Sequence, residues 1–299
     1  MNKRFGDRQF WQILSHVVMF VMSALAVLPF ILLIVASFTD NEWAIANGFS
    51  YFPAKWSISA YKYISSSAAM IGKAYLMTII VTVLGTVLGI LITAMLAYTL
   101  SYVDLPGIGL LNFLTVFTML FSGGIVASFY IWTNVFHIRD TIWALILPNL
   151  MMNAFNVVLV KNYYMTSVPD SLLEAARIDG CGETRIFWQI VFPLSKPIIA
   201  TIGLMSAIFY WNDWTNGLYY LTQKNGSQYY TIQLVLNQIN QSISFLSTNS
   251  QAVSVDTTSL PTQTARMAIA VIGVIPIMVA YPFFQKYFTK GITIGAVKG

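Results

Sequence analysis

Charge is scarce in this sequence. Sixteen Lys and Arg and eleven Asp and Glu make up 9% of 299 residues, while 57% are hydrophobic. A soluble domain carries about 25% charged residues. A soluble fold of this length could not cover its surface, so the composition points to a chain that crosses a membrane several times. Cysteine is scarcer still. Cys181 stands alone, which excludes an intrachain disulfide. It reads as a small filler residue, since reactive thiols need a special microenvironment. Histidine is limited to His16 and His137, without Cys or Glu at ligand spacing, which argues against a metal site. No G-x-x-x-x-G-K-[ST] occurs, so the chain has no loop to cradle nucleotide phosphates; "GCGETR" has two close glycines but neither the spacing nor the lysine. H-E-x-x-H and G-x-S-x-G are absent too. The formal charge of +5 comes from scattered basic residues with no stripe of interleaved aromatics, which argues against nucleic acid.

What the chain does have is long apolar runs. A span needs about 20 mostly apolar residues, and six stretches qualify: 11–38, 74–102, 105–136, 142–160, 197–221 and 267–284. The first follows Lys3, Arg4 and Arg8, as in a signal peptide, but its apolar run is much longer than an h-region; it reads as an uncleaved span. The expectation is an all-α membrane protein of six transmembrane helices in a single domain, 1–299, with no fixed-period repeat. With the N-terminus in the cytoplasm, Lys3, Arg4, Arg8, Lys161, Arg177, Arg185, Lys196, Lys286, Lys290 and Lys298 fall inside. Lys55, Lys62, Lys73, Arg139, Lys224 and Arg266 fall outside. The bias favours both termini inside. Two long outer loops follow, 39–73 and 222–263. Within the second, "YTIQLVLNQI" has an apolar stripe compatible with one short surface helix, and the rest reads as irregular. His137, beside Arg139 and Asp140, reads as an outer interfacial residue.

One charged stretch interrupts this pattern on the cytoplasmic side. "EAARIDGCGETRIFWQIVFP", residues 174–193, holds three acids and two arginines. Its pattern is two short helices within a loop spanning 167–192. Pro169 suits a first helical turn and Asp170 is favoured there by the dipole. Leu172, Leu173 and Ala176 share one face, while Glu174 and Arg177 sit on another at i,i+3. Gly180 and Gly182 bracket a break. Ile186, Phe187, Ile190 and Val191 make the apolar stripe of the second helix, which Pro193 ends. Such spacing fits an amphipathic loop lying on the membrane as well as a docking element with apolar anchors.

A second polar island lies in the 197–221 stretch. Asp213 sits roughly 24 Å along that helix from Pro197, towards the outer side. A carboxylate there is costly and faces a cavity or a partner. It reads either as a cap packed with Asn212 and Asn216 or as a polar wall of a translocation path. Trp211, Trp214, Tyr210, Tyr219 and Tyr220 surround it. Such rings are ordinary at membrane interfaces, and they also stack on the C–H faces of sugars. An intramembrane enzyme would need a second polar catalytic group within the spans, and Asp213 has no companion there.

Residue types and spacing together carry a resemblance. Glu174-Ala175-Ala176, three residues, Gly180, nine residues, Ile190 and Pro193 match the EAA loop of bacterial ABC-importer permeases, whose pattern ends I-x-L-P; Phe192 stands here for the leucine. "PTQTARMAIAVIGVIPIMVAYPFFQKYFTKGITIGAVKG" is similar to the last span and tail of carbohydrate-import permeases like the second permease of the maltose transporter. "FYWNDW" resembles their W-N-[DE]-[FW] signature, and "FSGGIV" resembles the subgroup associated with complex polysaccharides. The resemblance runs from about Phe10 to Gly299 and leaves 222–263 unmatched.

It implies a type I ABC importer permease fold with cytoplasmic coupling helices, and a non-catalytic transmembrane subunit of an ATP-driven oligosaccharide importer in the bacterial cytoplasmic membrane. The implied partners are a second homologous permease, two ATPase subunits that hold the ATP and Mg, an extracytoplasmic substrate-binding protein, and membrane lipid. The chain itself would bind no cofactor. The implied coupling residues are Glu174, Ala175, Ala176, Asp179, Gly180, Ile190, Pro193 and Lys298. Among these, Glu174 would be the ion-pair partner and Gly180 the turn, while within the cytoplasmic tail, 285–299, the segment Gly291 to Gly299 would enter the ATPase pair as an extended strand. The implied path residues are Trp211, Asn212, Asp213, Trp214 and Asn216. A permease for peptides or amino acids is the alternative that the EAA loop alone leaves open; the tail and "YWNDW" argue against it.

Overall fold

The computed structural model describes residues 3–102, 104–248 and 262–296. They are helical apart from loops and one isolated antiparallel bridge between Thr39 and Trp56. Helix α1, Lys3–Ser37, is uninterrupted, and its side chains are exposed from Gln9 through Ile31. α2, Asn41–Asn47, starts where Asp40 accepts the Trp43 N–H at 3.1 Å. α3 is Ser59–Ser65. α4, Ala68–Ser101, buries Ile71, Ala74, Thr78, Val81, Gly85, Gly89, Thr93, Ala97 and Leu100. That three-or-four spacing is a helical stripe, and its small residues permit close approach. A Cβ at Gly85 would collide with the Tyr210 ring.

α5, Ile108–Leu120, bends by 119° into α6, Gly124–Tyr130, which continues as a wide π-type turn, Ile131–Val135. α7, Trp143–Ile146, and α8, Ala154–Ser167, follow. The cytoplasmic-loop candidates are α9, Asp170–Ile178, and α10, Glu183–Ile186; a π-type turn, Phe187–Val191, then leads into α11, Phe192–Leu194. The segment Glu183–Leu194 bends by 81° into α12, Lys196–Asn212. α13, Thr215–Tyr220, α14, Ile232–Thr248, and α15, Thr262–Ala296, complete the chain.

Among the described residues, Gln9–Ser37, Ala68–Ser101 and Thr262–Val279 are long and apolar enough to cross a membrane, and there are up to five candidates if each bent pair is one span. This is a multi-pass, all-α protein. The stretch 142–160, expected as one helix, is broken between α7 and α8. Pro148 has no N–H to continue a helix, Asn149 takes φ 61°, and Asn153 caps α8 by accepting the Asn156 N–H at 3.3 Å. The stretch 197–221 breaks at Asp213. The expected short surface helix is 17 residues long and buries Ile232, Leu234 and Val235, while the Ile232 N–H donates to Thr78 Oγ1 at 2.8 Å. Its stripe faces protein, not solvent. The tail, expected as an extended strand, is helical as far as Ala296; a helix already under way adds residues one at a time and tolerates Gly291 and Gly295 there at roughly 1 kcal/mol each.

The chain divides into two compact units, Met1–Ala68 with Gln238–Ile275, and Ala69–Asn237 with Pro276–Gly299. In the first, the Asn41 side chain accepts the Gln263 and Thr264 N–H groups at 3.1 and 3.4 Å, satisfying donors that the start of α15 leaves open. Ser37 and Tyr61 hydroxyls meet at 2.8 Å. In the second unit, one buried cluster joins Ala94, Ala97, Tyr98 and Leu100 of α4 with Val157, Val160 and Tyr164 of α8, Ala176 of α9, Ile186, Phe187, Val191, and Ile198 and Ile202 of α12. Another joins Val81, Ala144, Leu145, Ile146, Tyr210, Tyr220, Leu221 and Leu234.

Candidate functional site

The charged stretch 174–193 is built, with the residues just before it, as two helices around a glycine turn. Pro169 is extended at φ −68°, ψ 129° and hands over to Asp170 at the first turn of α9. At the other end Gly180 N–H donates to Arg177 O at 3.0 Å and Cys181 N–H to Ala176 O at 2.9 Å. This paired 5→2 and 6→1 closure needs a left-handed residue, and Gly180 supplies it at φ 79°. α10 restarts at Glu183. Its stripe, Ile186, Phe187 and Val191, is buried in the chain's own core, with Ile190 and Leu173 packed beside it. The expected partner-facing anchors are thus already occupied. Glu174, Ala175, Asp179, Gly180 and Pro193 are exposed, and Ala176 is buried. Ile178, which the sequence did not single out, is 86% exposed at the tip of α9. Lys298 lies outside the described residues.

Arg177 does not pair with Glu174, its neighbour on the same face of α9. Its Nε donates to Glu183 Oε1 at 2.9 Å, the one ion pair among the described residues. Tyr98 Oη donates to Glu183 Oε2 at 2.6 Å, and Tyr102 Oη lies 2.8 Å from the same oxygen. Arg177 Nη2 donates to Tyr102 Oη at 2.8 Å, and the two tyrosine hydroxyls also meet each other. Burial pushes the Glu183 carboxyl up, but hydrogen bonds from Tyr98, Arg177 and Tyr102 outweigh it and hold the group below its ordinary 4.5. The hydrogen bond to Glu183 in turn raises the Arg177 guanidinium. Around these groups is a polar cavity of about 360 Å³, whose wall includes Asp104, Asp170, Glu174 and Arg177. Nothing in the sequence announced the tyrosines, because they stand 81 and 85 residues from Glu183.

The second island resolves into a helix junction. α12 ends at Asn212 and Asp213 turns extended. Asp213 Oδ1 accepts the N–H groups of Thr215 and Asn216 at 3.1 and 3.3 Å, which caps α13. Asn216 is 4% exposed, and its Nδ2 donates to Pro148 O at 3.0 Å, so its side chain is committed to the fold. Tyr210 and Tyr220 are buried, with Tyr210 Oη donating to Ile146 O at 2.9 Å. Asn212 and Trp214 face outward. Trp211 packs near Tyr75, with ring centroids 6.3 Å apart, and lines an apolar cavity of about 630 Å³ walled by α4, α12, Pro276 and Ile277. Such walls offer a sugar few hydroxyl partners. Asp140 was also underestimated. It takes φ 57°, and its carboxylate accepts from the Thr222 N–H at 2.5 Å and the Thr222 hydroxyl at 2.9 Å, clasping the start of the 222–263 loop. Among the described residues no three His, Cys, Asp or Glu side chains gather to hold a metal.

Residues 85–294 match the family described as binding-protein-dependent transport system inner membrane component. The chain is 40% identical to the polygalacturonan/rhamnogalacturonan transport system permease protein YtcP of Bacillus subtilis (strain 168), over 93% of this chain and 95% of that one. It is 37% identical to protein LplC of the same organism, over 93% and 91%. Among solved structures it is similar to a bacterial ABC transporter involved in the import of the acidic polysaccharide alginate, with a TM-score of 0.74 and 28% identity over 94% of this chain and 97% of that one. The chain belongs to the binding-protein-dependent transport system inner membrane components, and it is a multi-pass, non-catalytic permease subunit of an ABC importer.

Proposed function

We propose that this permease imports oligosaccharides as one half of a paired pore. In this reading it has six membrane crossings, the bent segments counting among them, and both termini lie in the cytoplasm. A second homologous permease completes the path, two ATPase subunits bind below, and an extracytoplasmic binding protein delivers the sugar. The loop 167–192 is the coupling element. ATP closes the ATPase pair, the loop follows, and the pore turns from inward-facing to outward-facing. Oligosaccharide as the cargo is supported by relatives named for polygalacturonan, rhamnogalacturonan and alginate.

The observation that carries the coupling reading is the face of α9. Glu174, Ala175, Ile178 and Asp179 stand exposed beside a rigid turn, while the second helix is anchored in the core. An exposed isoleucine with a carboxylate one turn away is suited to a groove with an apolar floor and a basic rim. On the outer side, Trp214 and Asn212 are the exposed path candidates; Asn212 Nδ2 donates to Ile208 O at 2.9 Å, which leaves its amide oxygen for a sugar, and Asp213 acts by holding their turn. The test is Glu174→Lys in the assembled complex. Unpairing one member of a desolvated ion pair costs about 3–5 kcal/mol, so at about 1.4 kcal/mol per decade the ATPase should be lost on co-purification. A variant that keeps its ATPase and accumulates oligogalacturonides normally would return the loop to a surface helix.

A further inference from the structure

We propose that Glu183 is the joint through which the coupling loop moves the membrane helix α4. The proposal rests on the coupling reading above and adds to it a route for the motion. Glu183 opens α10, Arg177 belongs to the last turn of α9, and Tyr98 and Tyr102 lie at the cytoplasmic end of α4. One carboxylate therefore ties three segments. Oε1 takes Arg177 at 2.9 Å and Oε2 takes Tyr98 at 2.6 Å, with Tyr102 at 2.8 Å. The Arg177 guanidinium reaches around to Tyr102 Oη at 2.8 Å and lies 5.3 Å from the centre of its ring.

Each end of this tie is fixed by something else. Tyr98 is 9% exposed, its ring 5.3 Å from that of Phe187 and 6.4 Å from that of Tyr164. Arg177 is one turn along from Glu174 on the exposed side of α9. Motion that enters at α9 thus meets a stiff, directional contact before it meets the membrane helix. Packed apolar side chains can slide past one another, whereas charge-assisted hydrogen bonds with a fixed guanidinium fork resist both sliding and rotation. The aliphatic contacts of Ile186 and Val191 hold the loop in place, and the Glu183 cluster makes α4 follow it. An ionised Glu183 accepts from both tyrosines and from Arg177, so the joint needs the charge and not merely the shape of the side chain.

The experiment uses the full complex in proteoliposomes and compares wild type with Glu183→Gln, Tyr98→Phe and the double variant. ATP hydrolysed is divided by labelled oligogalacturonide accumulated. Both single variants should retain the ATPase subunits and continue to hydrolyse ATP. Their uptake should fall so that the ATP-to-sugar ratio rises about tenfold, the size of one lost charge-assisted bond. The double variant should be no worse than the worse single, because both act on one joint. Tyr98→Phe removes one hydroxyl and guards against a folding defect in Glu183→Gln. A wild-type ratio in both single variants, or loss of the ATPase from both, overturns the proposal. Glu174→Lys is run beside them. If it loses its ATPase while the joint variants transport with a wild-type ratio, the joint is refuted and docking stands. If it keeps its ATPase and transports normally, the docking reading itself has failed.

Discussion

Two turns flank α12, and each places carboxylates among aromatic rings. In the turn before it, Glu183 is gripped by Arg177 and two tyrosines, while Glu174 is left exposed in the wall of the adjoining cavity. In the turn after it, Asp213 is taken by the N–H groups of its own chain, and no second carboxylate is left over. The two regions look alike as strings of letters, but their acids answer to different demands. A short Asp beside an opening helix satisfies orphan donors two and three residues on. A Glu at a helix start reaches farther and can bind a neighbouring element. What remains after these internal demands is what a partner can use, namely Glu174 and Ile178 at the first turn and, at the second, Trp214 and the amide oxygen of Asn212, whose Nδ2 is held by Ile208 O.

This contrast can be broken from its strongest side first. Glu174→Lys should lower ATPase retention by a hundredfold or more without altering insertion, as read by quantitative co-purification. Gly180→Val comes next. A β-branched residue at φ 79° costs about 1–3 kcal/mol, so retention should fall roughly tenfold, and Gly180→Asn should recover much of it. At the outer turn, Asn216→Ala leaves the Pro148 carbonyl without its buried donor; the thermal stability of the complex should drop by about 1–3 kcal/mol while Glu174-dependent docking is unaffected. Asp213→Ala should cost about 1 kcal/mol through the lost cap, with Asp213→Asn nearly neutral. If the alanine and asparagine variants are equally defective in sugar uptake and equally stable, Asp213 is a ligand and not a cap.

The smallest expected effect is on pH. The hydrogen-bonded carboxylate of Glu183 lies below its ordinary 4.5, so its contribution is complete above that value and is lost as acid takes pH down through the folded value. Tyr98, Tyr102 and Arg177 face it directly, and Asp104, Asp170 and Glu174 share the adjoining cavity. Thermal stability scanned between pH 6 and about pH 3 should slope less in Glu183→Gln than in wild type. Parallel slopes would assign the acid loss to the other carboxylates.

Some of this was legible beforehand because it depends on neighbours in sequence. The runs 11–38 and 74–102 are apolar without a breaker strong enough to stop them, and they fold as α1 and α4. The turn at Gly180 was legible for the same reason, since a left-handed closure is a local property. Hydropathy, however, sums over a window and does not register where the backbone gives way. It therefore passed over the break at Pro148 and made one span of 142–160, whereas the glycine pair at 123–124 does mark the bend within 105–136. Nor does a helical stripe say what covers it. Ile186, Phe187 and Val191 were visible as a face, but whether that face met a partner or the chain's own core depended on α4 and α8, far away in sequence. The Asp213 alternatives could not be separated for a similar reason, because capping competes with path lining only once the position of the helix end is known.

One feature of the first unit reaches beyond any single contact. From Gln9 to Ser37, α1 is 29 residues of continuous helix, about 43 Å at 1.5 Å per residue, against a hydrocarbon layer of about 30 Å. Since it is exposed from Gln9 through Ile31, its packing within its own unit does not fix its inclination. A helix longer than the hydrocarbon layer tilts or lets an end emerge, at a fraction of a kcal/mol per Å of mismatch. Lipid chain length therefore belongs among the conditions to be held constant whenever transport by this subunit is measured.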